Sequence, residues 1–440
     1  MNRLSRCASG ILALCLSLAG GAFAAPPHVD YIVIDTPFDA QPGTTTTRFH
    51  GVAAGAAYRI EVPAAWNGKL VLYSHGFRGN GVRQLFVSNP PLRAHLIRNG
   101  YAWAASSYSA NFYDVRQGVL DTHALNAVFQ ERTGKTPSST IVTGHSMGGH
   151  IVGALIEQYP DAYVGALPMC GVLGDESLFD YFLDFNLVAQ TLAGRNAIFP
   201  PPADYLTTVV PAIAGQLAAK FPFGLNARGE QLRAVTEQRS GGTRPAFKET
   251  FEFWDGFLFT LYGDGTVSGI ASGNVTTNLQ TTYRFGNGDD DELTAAERAL
   301  NRNVLRVAPD LTARNFHGAD DLQNIVPVHA TFTIPVLSLH TIGDLFVPIS
   351  MEQIYARRAQ ENDRADLLVQ RAYRDVNHCG FAPQEEARAF SDLVAWVEKG
   401  QKPRGDEILD PEEVASPQFG CQFTELTRAP YPACAARDSD

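Results

Sequence analysis

The sequence has few cysteines, few basic residues and no apolar run that matches a membrane span. Lys and Arg number 35 against 46 Asp and Glu, giving a formal charge of -11 over 440 residues, with a pI of about 5.5. A surface of that sign argues against nucleic acid or an anionic membrane as partner. The longest early apolar run, Ile11 to Leu18, falls short of the roughly 20 residues that cross a bilayer, and no later segment reads as transmembrane. The six cysteines are scattered without the paired spacing of a zinc site. The acidic run Asp289-Asp290-Asp291-Glu292 lacks the spacing of an EF-hand loop, so it reads as a helix start and not a calcium site. No metal and no cofactor are expected.

The N-terminus has the order of an export signal. Arg3 and Arg6 precede the short apolar run, and Ala22-Phe23-Ala24 offers a small-x-small cleavage site, so residues 1–24 are read as a signal peptide. A secreted or periplasmic protein is expected. Cys15 alone would suggest a lipoprotein, but the bulky Leu14 precedes it. Removal of the signal takes Cys7 and Cys15 and leaves Cys170, Cys379, Cys421 and Cys434. In an oxidising compartment these make two disulfides.

What is abundant is apolar: 45% of residues are hydrophobic, enough for a large core. Lys69 to Ser74, Tyr101 to Ser107, Ser138 to Thr143 and Val164 to Met169 read as strands. Leu92 to Asn99, Asp114 to Thr133 and the stretch after Ser146 read as helices between them. Tyr31 to Ile34 and Ala57 to Val62 are earlier strands, with residues 51–55 as a loop. Strand and helix in alternation mean a mostly parallel sheet covered on both faces. The rhythm stops from Val172 to Ala330, where two aromatic clusters stand, one about Phe179 to Phe185 and one about Phe251 to Tyr262. A structureless loop of that length is not expected, so residues 173–330 are read as an inserted lid, with a helix from Asp291 to Val307. The rhythm resumes at Thr331, with strands Ile334 to His340 and Asp366 to Tyr373 and a last helix from Pro383 to Lys399. The core is thus 25–172 and 331–400. Residues 401–440 read as an irregular tail held by a disulfide.

The chemistry gathers at strand ends. Gly144-His145-Ser146-Met147-Gly148 spells G-x-S-x-G between a strand and a helix, a turn that exposes a serine hydroxyl above a sheet. The helix after it aims its N-terminal N–H groups at the same point, where negative charge is favoured. A serine needs a base, and the base needs a carboxylate to hold its tautomer. Asp344 follows one late strand and His378 the next, so Ser146, Asp344 and His378 are the expected nucleophile, acid and base. His75-Gly76-Phe77, after an apolar strand, is the expected oxyanion loop, with the N–H groups of Phe77 and Met147 as donors. Asp175, also past a strand end, is the rival acid. His75, His145, His150 and His340 are read as structural.

These motifs resemble the α/β-hydrolase superfamily, in particular secreted bacterial serine hydrolases with an elaborate lid, over residues 55–172 and 331–400. The resemblance implies an α/β fold with an eight-stranded, mostly parallel sheet, no cofactor, and a carboxylic ester as substrate, small or polymeric. Cys379 beside the expected base is similar to feruloyl esterases and tannases, where a disulfide joins the residues next to Ser and His. Here His145, not cysteine, precedes Ser146. Cys170 and Cys379 both fall at the catalytic edge, so Cys170–Cys379 with Cys421–Cys434 is the expected pairing, and Cys379 with a tail cysteine is the rival. Two other functions share this scaffold. A peptidase of prolyl-oligopeptidase type would carry a propeller ahead of the core, where only a short segment precedes it. A non-catalytic binding protein would not need an intact Ser, Asp and His.

Overall fold

The computed structural model describes residues 29–286 and 292–434. The signal segment, Asp289 to Asp291 of the acidic run and the last residues of the tail lie outside the described residues.

Its centre is an eight-stranded sheet in the order β12-β11-β8-β7-β4-β6-β3-β2. In chain order these are β2 (Thr46–Ala53), β3 (Ala56–Pro63), β4 (Lys69–Ser74), β6 (Ala102–Ser106), β7 (Ser139–His145), β8 (Gly165–Met169), β11 (Val336–Thr341) and β12 (Leu368–Tyr373). The β2–β3 and β3–β6 pairings are antiparallel and the rest are parallel. Two short strands, β1 (Ile32–Ile34) and β5 (Gln84–Phe86), pair in parallel outside this sheet. The central strands are apolar almost throughout because both of their faces are covered. Leu70 and Leu72 of β4 enter one core and Val71 and Tyr73 the other. The first core is built on α2 (Val115–Thr133), α3 (Met147–Gln158) and α10 (Ser350–Glu361). The second is built on α1 (Arg93–Arg98) and α11 (Pro383–Lys399).

The expected loop at residues 51–55 is mostly strand. Gly51, Val52 and Ala53 pair with Tyr58, Ala57 and Ala56, and only Ala54 and Gly55 turn, both at positive φ (47° and 85°). Two consecutive positive φ values make the tight hairpin turn whose twist suits the flanking strands. Small residues on both sides of it leave no alternating pattern to read.

Between β8 and β11 the chain builds helices α4 (Ser177–Leu192), α5 (Val210–Leu217), α6 (Ala227–Arg239), α7 (Phe247–Thr260), α8 (Ala295–Asn303) and α9 (Leu311–Arg314), with a hairpin of β9 (Ala218–Lys220) and β10 (Phe223–Leu225). Tyr181, Phe182 and Phe185 of α4 and Phe247, Phe251 and Phe259 of α7 join the first core. Helix α8 is shorter than the expected Asp291 to Val307. It starts at a capping box in which Thr294 accepts from Glu297 N–H and the Glu297 carboxylate accepts from Thr294 N–H, so reciprocal caps set its start, not the acidic run. The tail adds α12 (Pro411–Ala415) and closes on a Cys421–Cys434 disulfide. No helix among the described residues is long and apolar enough to cross a membrane.

Candidate active site

Ser146 stands between β7 and α3 at φ 59°, ψ -124°, a conformation that costs free energy for a residue with a side chain. Tight packing beneath the turn holds it there. A Cβ on Gly148 would lie 2.1 Å from Ser74 O, and one on Gly144 would lie 2.3 Å from Gly148 O. Only glycine allows strand and helix to approach so closely. The Ser146 N–H donates to Met169 O at 2.9 Å, which fixes the turn to the next strand.

His378 and Asp344 reach the same point from the ends of β12 and β11. His378 Nε2 lies 2.7 Å from Ser146 Oγ, and His378 Nδ1 lies 2.5 Å from Asp344 Oδ2. The other Asp344 oxygen accepts from the N–H groups of Phe346 (2.9 Å) and Val347 (3.0 Å), so the carboxylate is fully buried yet satisfied. Those bonds hold one oxygen free for the imidazole, and the imidazole is left with Nε2 towards Ser146 Oγ. Cys379, next to His378, is bonded to Cys170 at the end of β8. The pairing with a tail cysteine does not occur.

Phe77 lies on the wall of the cavity that contains Ser146. A Cβ on Gly76 would sit 3.1 Å from Ser146 Cβ, which shows how near the loop runs. Met147 is the first residue of α3. Neither the Phe77 nor the Met147 N–H has an assigned acceptor among the described residues.

The rival residues are occupied elsewhere. Asp175 pairs with Arg358 (2.7 Å) and accepts from Val328 N–H (3.0 Å). His75 stacks on Tyr108 at 4.0 Å. His145 faces Glu386 at 3.2 Å. His150 donates to Val326 O and accepts from the Tyr113 hydroxyl. His340 lies between Glu352 and Val347 O. Burial pushes its pKa down, but the hydrogen bond and charge of Glu352 outweigh that and leave it raised.

Two contacts at the site have no counterpart in the sequence analysis. The Trp254 indole of α7 donates to both Gly343 O (2.9 Å) and Val376 O (2.8 Å), next to the Asp344 and His378 loops. The Phe346 ring meets His378 edge-on at 5.1 Å. The one available signal was that an indole N–H packed in a core must find an acceptor.

Above Ser146 lies a cavity of about 550 Å³, within the range of roughly 300–1,000 Å³ for small-molecule sites. Helix α4 supplies Leu178, Phe179, Phe182 and Leu183 to its wall, Phe346 and Val347 close it on the side of His378, and residues 260–269 form another side.

A mostly parallel eight-stranded sheet with a serine on the turn after β7, and an acid and a histidine past its last two strands, defines an α/β-hydrolase. The chain belongs to that superfamily and is a hydrolase of that type. More narrowly, the o-phthalyl amidase of Xanthobacter agilis is 33% identical over 406 residues, which span 79% of this chain and 86% of that protein, and the chain belongs to the same family as that amidase. No protein-family model matches the chain. Among solved structures it is similar to feruloyl esterase B of Aspergillus oryzae (12% identical, 85% of this chain and 86% of that one, TM-score 0.42). It is also similar to the rice cell wall degrading esterase LipA of Xanthomonas oryzae (14% identical, 81% and 90%, TM-score 0.37). The acylaminoacyl peptidase of Pyrococcus horikoshii is a third (10% identical, 85% of this chain, TM-score 0.40), and there the chain spans 44% of the other protein's length.

Proposed function

We propose that this protein is an exported serine hydrolase that cleaves carboxylic esters through an acyl-enzyme on Ser146. The observation that carries the reading is the unbroken line from Ser146 Oγ through His378 to Asp344. In this mechanism Oγ attacks the substrate carbonyl as His378 Nε2 takes its proton, and Asp344 stabilises the imidazolium. The carbonyl oxygen becomes an oxyanion that accepts from the N–H groups of Phe77 and Met147. His378 returns the proton to the departing alcohol, leaving an ester on Ser146. Water then repeats the sequence, giving up a proton to His378, and the acid leaves with Ser146 restored. Export rests on the N-terminal segment together with the two disulfides. The substrate is the only partner this reading requires, and no nucleic acid or membrane takes part.

The family relationship favours a second reading on the same machinery, cleavage of an aromatic amide, since the relative is an amidase. The same acyl group presented as a p-nitrophenyl ester and as an anilide separates the two by kcat/KM. In either case Ser146→Ala should lower turnover on the order of 10⁶-fold. Turnover near that of the unmodified protein would remove Ser146 from the mechanism.

A further inference from the structure

The cavity wall is aromatic and carries almost no charge. Tyr113 meets Phe179 edge-on at 5.1 Å, Phe179 meets Phe182 at 6.1 Å, and Phe182 stacks on Phe346 at 6.1 Å. Phe346 in turn meets His378, so a continuous path of rings leads to the expected base. Among the described residues no lysine or arginine lines the cavity, and the one carboxylate on its wall is the exposed Asp264. Arg78, one residue past Phe77, is not on the wall. Its guanidinium lies over the Phe86 ring at 3.9 Å and donates to Ser88 Oγ at 2.8 Å.

The wall hydroxyls are largely committed to the protein. Tyr262 donates to Ile198 O (2.6 Å) and Thr260 to Phe257 O (2.6 Å). Thr266 donates to Asp264 (2.6 Å) and Thr276 to Asn274 (2.7 Å). Such a wall offers edge and face contacts to a planar ring. It offers no cation to a carboxylate, which would lose its water without gaining a counter-charge and would also meet the negative field of Asp264.

We propose that the cavity is a binding site for an uncharged aromatic acyl group and rejects one that bears an ionised carboxylate. The inference rests on Ser146 being the nucleophile beneath the cavity. It sets this chain apart from its relative, whose named o-phthalyl group carries a second carboxyl beside the first. Specificity here is negative: the unpaired carboxylate is excluded by the absence of a partner for it.

Methyl esters give the test, with the full-length mature protein and hydrolysis followed by chromatography. Methyl benzoate and methyl hexanoate compare an aromatic with an aliphatic acyl group. Dimethyl phthalate and monomethyl phthalate share the ortho substituent's position and nearly its bulk, and differ in charge. The expected result is that kcat/KM for methyl benzoate exceeds that for methyl hexanoate, and that dimethyl phthalate exceeds monomethyl phthalate by about a hundredfold. Asp264→Asn should narrow the second ratio a few fold. Equal rates on the two phthalates, or a preference for hexanoate, would overturn the inference while labelling of Ser146 by a fluorophosphonate leaves the serine mechanism standing. Failure of Ser146 to label would overturn both.

Discussion

His75 shows how a single buried group ties this protein to pH. Its ring is stacked on Tyr108 and lies against two carbonyls, with Nδ1 at 2.8 Å from Gly76 O and Nε2 at 3.2 Å from Ser107 O. Burial, with the nearby Arg78 charge second, pushes its pKa down to about 3. The neutral ring therefore donates to one carbonyl, and protonation is disfavoured in the folded state. Unfolded, the same imidazole titrates near 6.5. Below that pH the unfolded chain takes up a proton that the folded chain refuses. The contribution of His75 is thus complete above about 6.5 and is lost as pH falls towards 3, with a slope of up to about 1.4 kcal/mol per pH unit. Buried His150, also shifted down, acts in the same direction, and His340, shifted up, acts against it. Urea unfolding of the unmodified protein and His75→Asn between pH 7 and pH 4 isolates this residue. The variant should show the flatter dependence on pH, and parallel slopes would disprove the assignment. Because Gly76 adjoins Ser146, protonation of His75 on acidification should loosen the loop that runs past Ser146.

At the scale of the element, the strand ends are the legible part and their braces are not. Ser146, Asp344 and His378 can be read from the sequence as three residues just past three apolar strands, since strand–turn–helix order alone brings such positions to one edge of a parallel sheet. The hairpin at Ala54-Gly55 and the start of α8 depend on local caps and turns that short, small or polar stretches signal poorly. Trp254 is hidden for another reason. In the sequence it is one aromatic among six in a helix, and only the tertiary structure sets its N–H between Gly343 O and Val376 O. Arg244, fully enclosed nearby, donates from Nε to Ile342 O at 2.7 Å. The insertion thereby grips the two loops that present Asp344 and His378. Trp254→Phe keeps the ring and deletes the donor. It should lower kcat by about tenfold to a hundredfold, because small displacements of reacting groups are costly. KM should change little, and stability should fall by about 1 kcal/mol for the lost hydrogen bond. A change confined to stability, with kcat intact, would make Trp254 a packing residue and no more.

Over the whole molecule, two disulfides close loops of very different size. Cys170–Cys379 spans 209 residues and encloses the entire helical insertion, whereas Cys421–Cys434 spans 13. The tail has a second anchor, because the buried Arg374 donates from Nε to Phe419 O at 2.9 Å and from its other nitrogens to Pro432 O and Pro417 O. Arg428 pairs with Glu385 and Asp375. The His378 loop is also held by contacts to Asp344, Thr341, Trp254 and Arg428, and the disulfide fastens it to the end of β8. By chain entropy the longer closure stabilises the fold by about 2 kcal/mol more than the shorter one. Replacing Cys170 and Cys379 together by Ser should therefore cost more stability in urea than replacing Cys421 and Cys434. It should also lower kcat, since His378 precedes the broken link, whereas the tail variant should keep most of its turnover. Equal losses of stability would show that strain or residual structure in the unfolded chain outweighs loop length. An intact kcat in the Cys170 and Cys379 variant would show that Asp344 and the inserted helices hold His378 without the bridge.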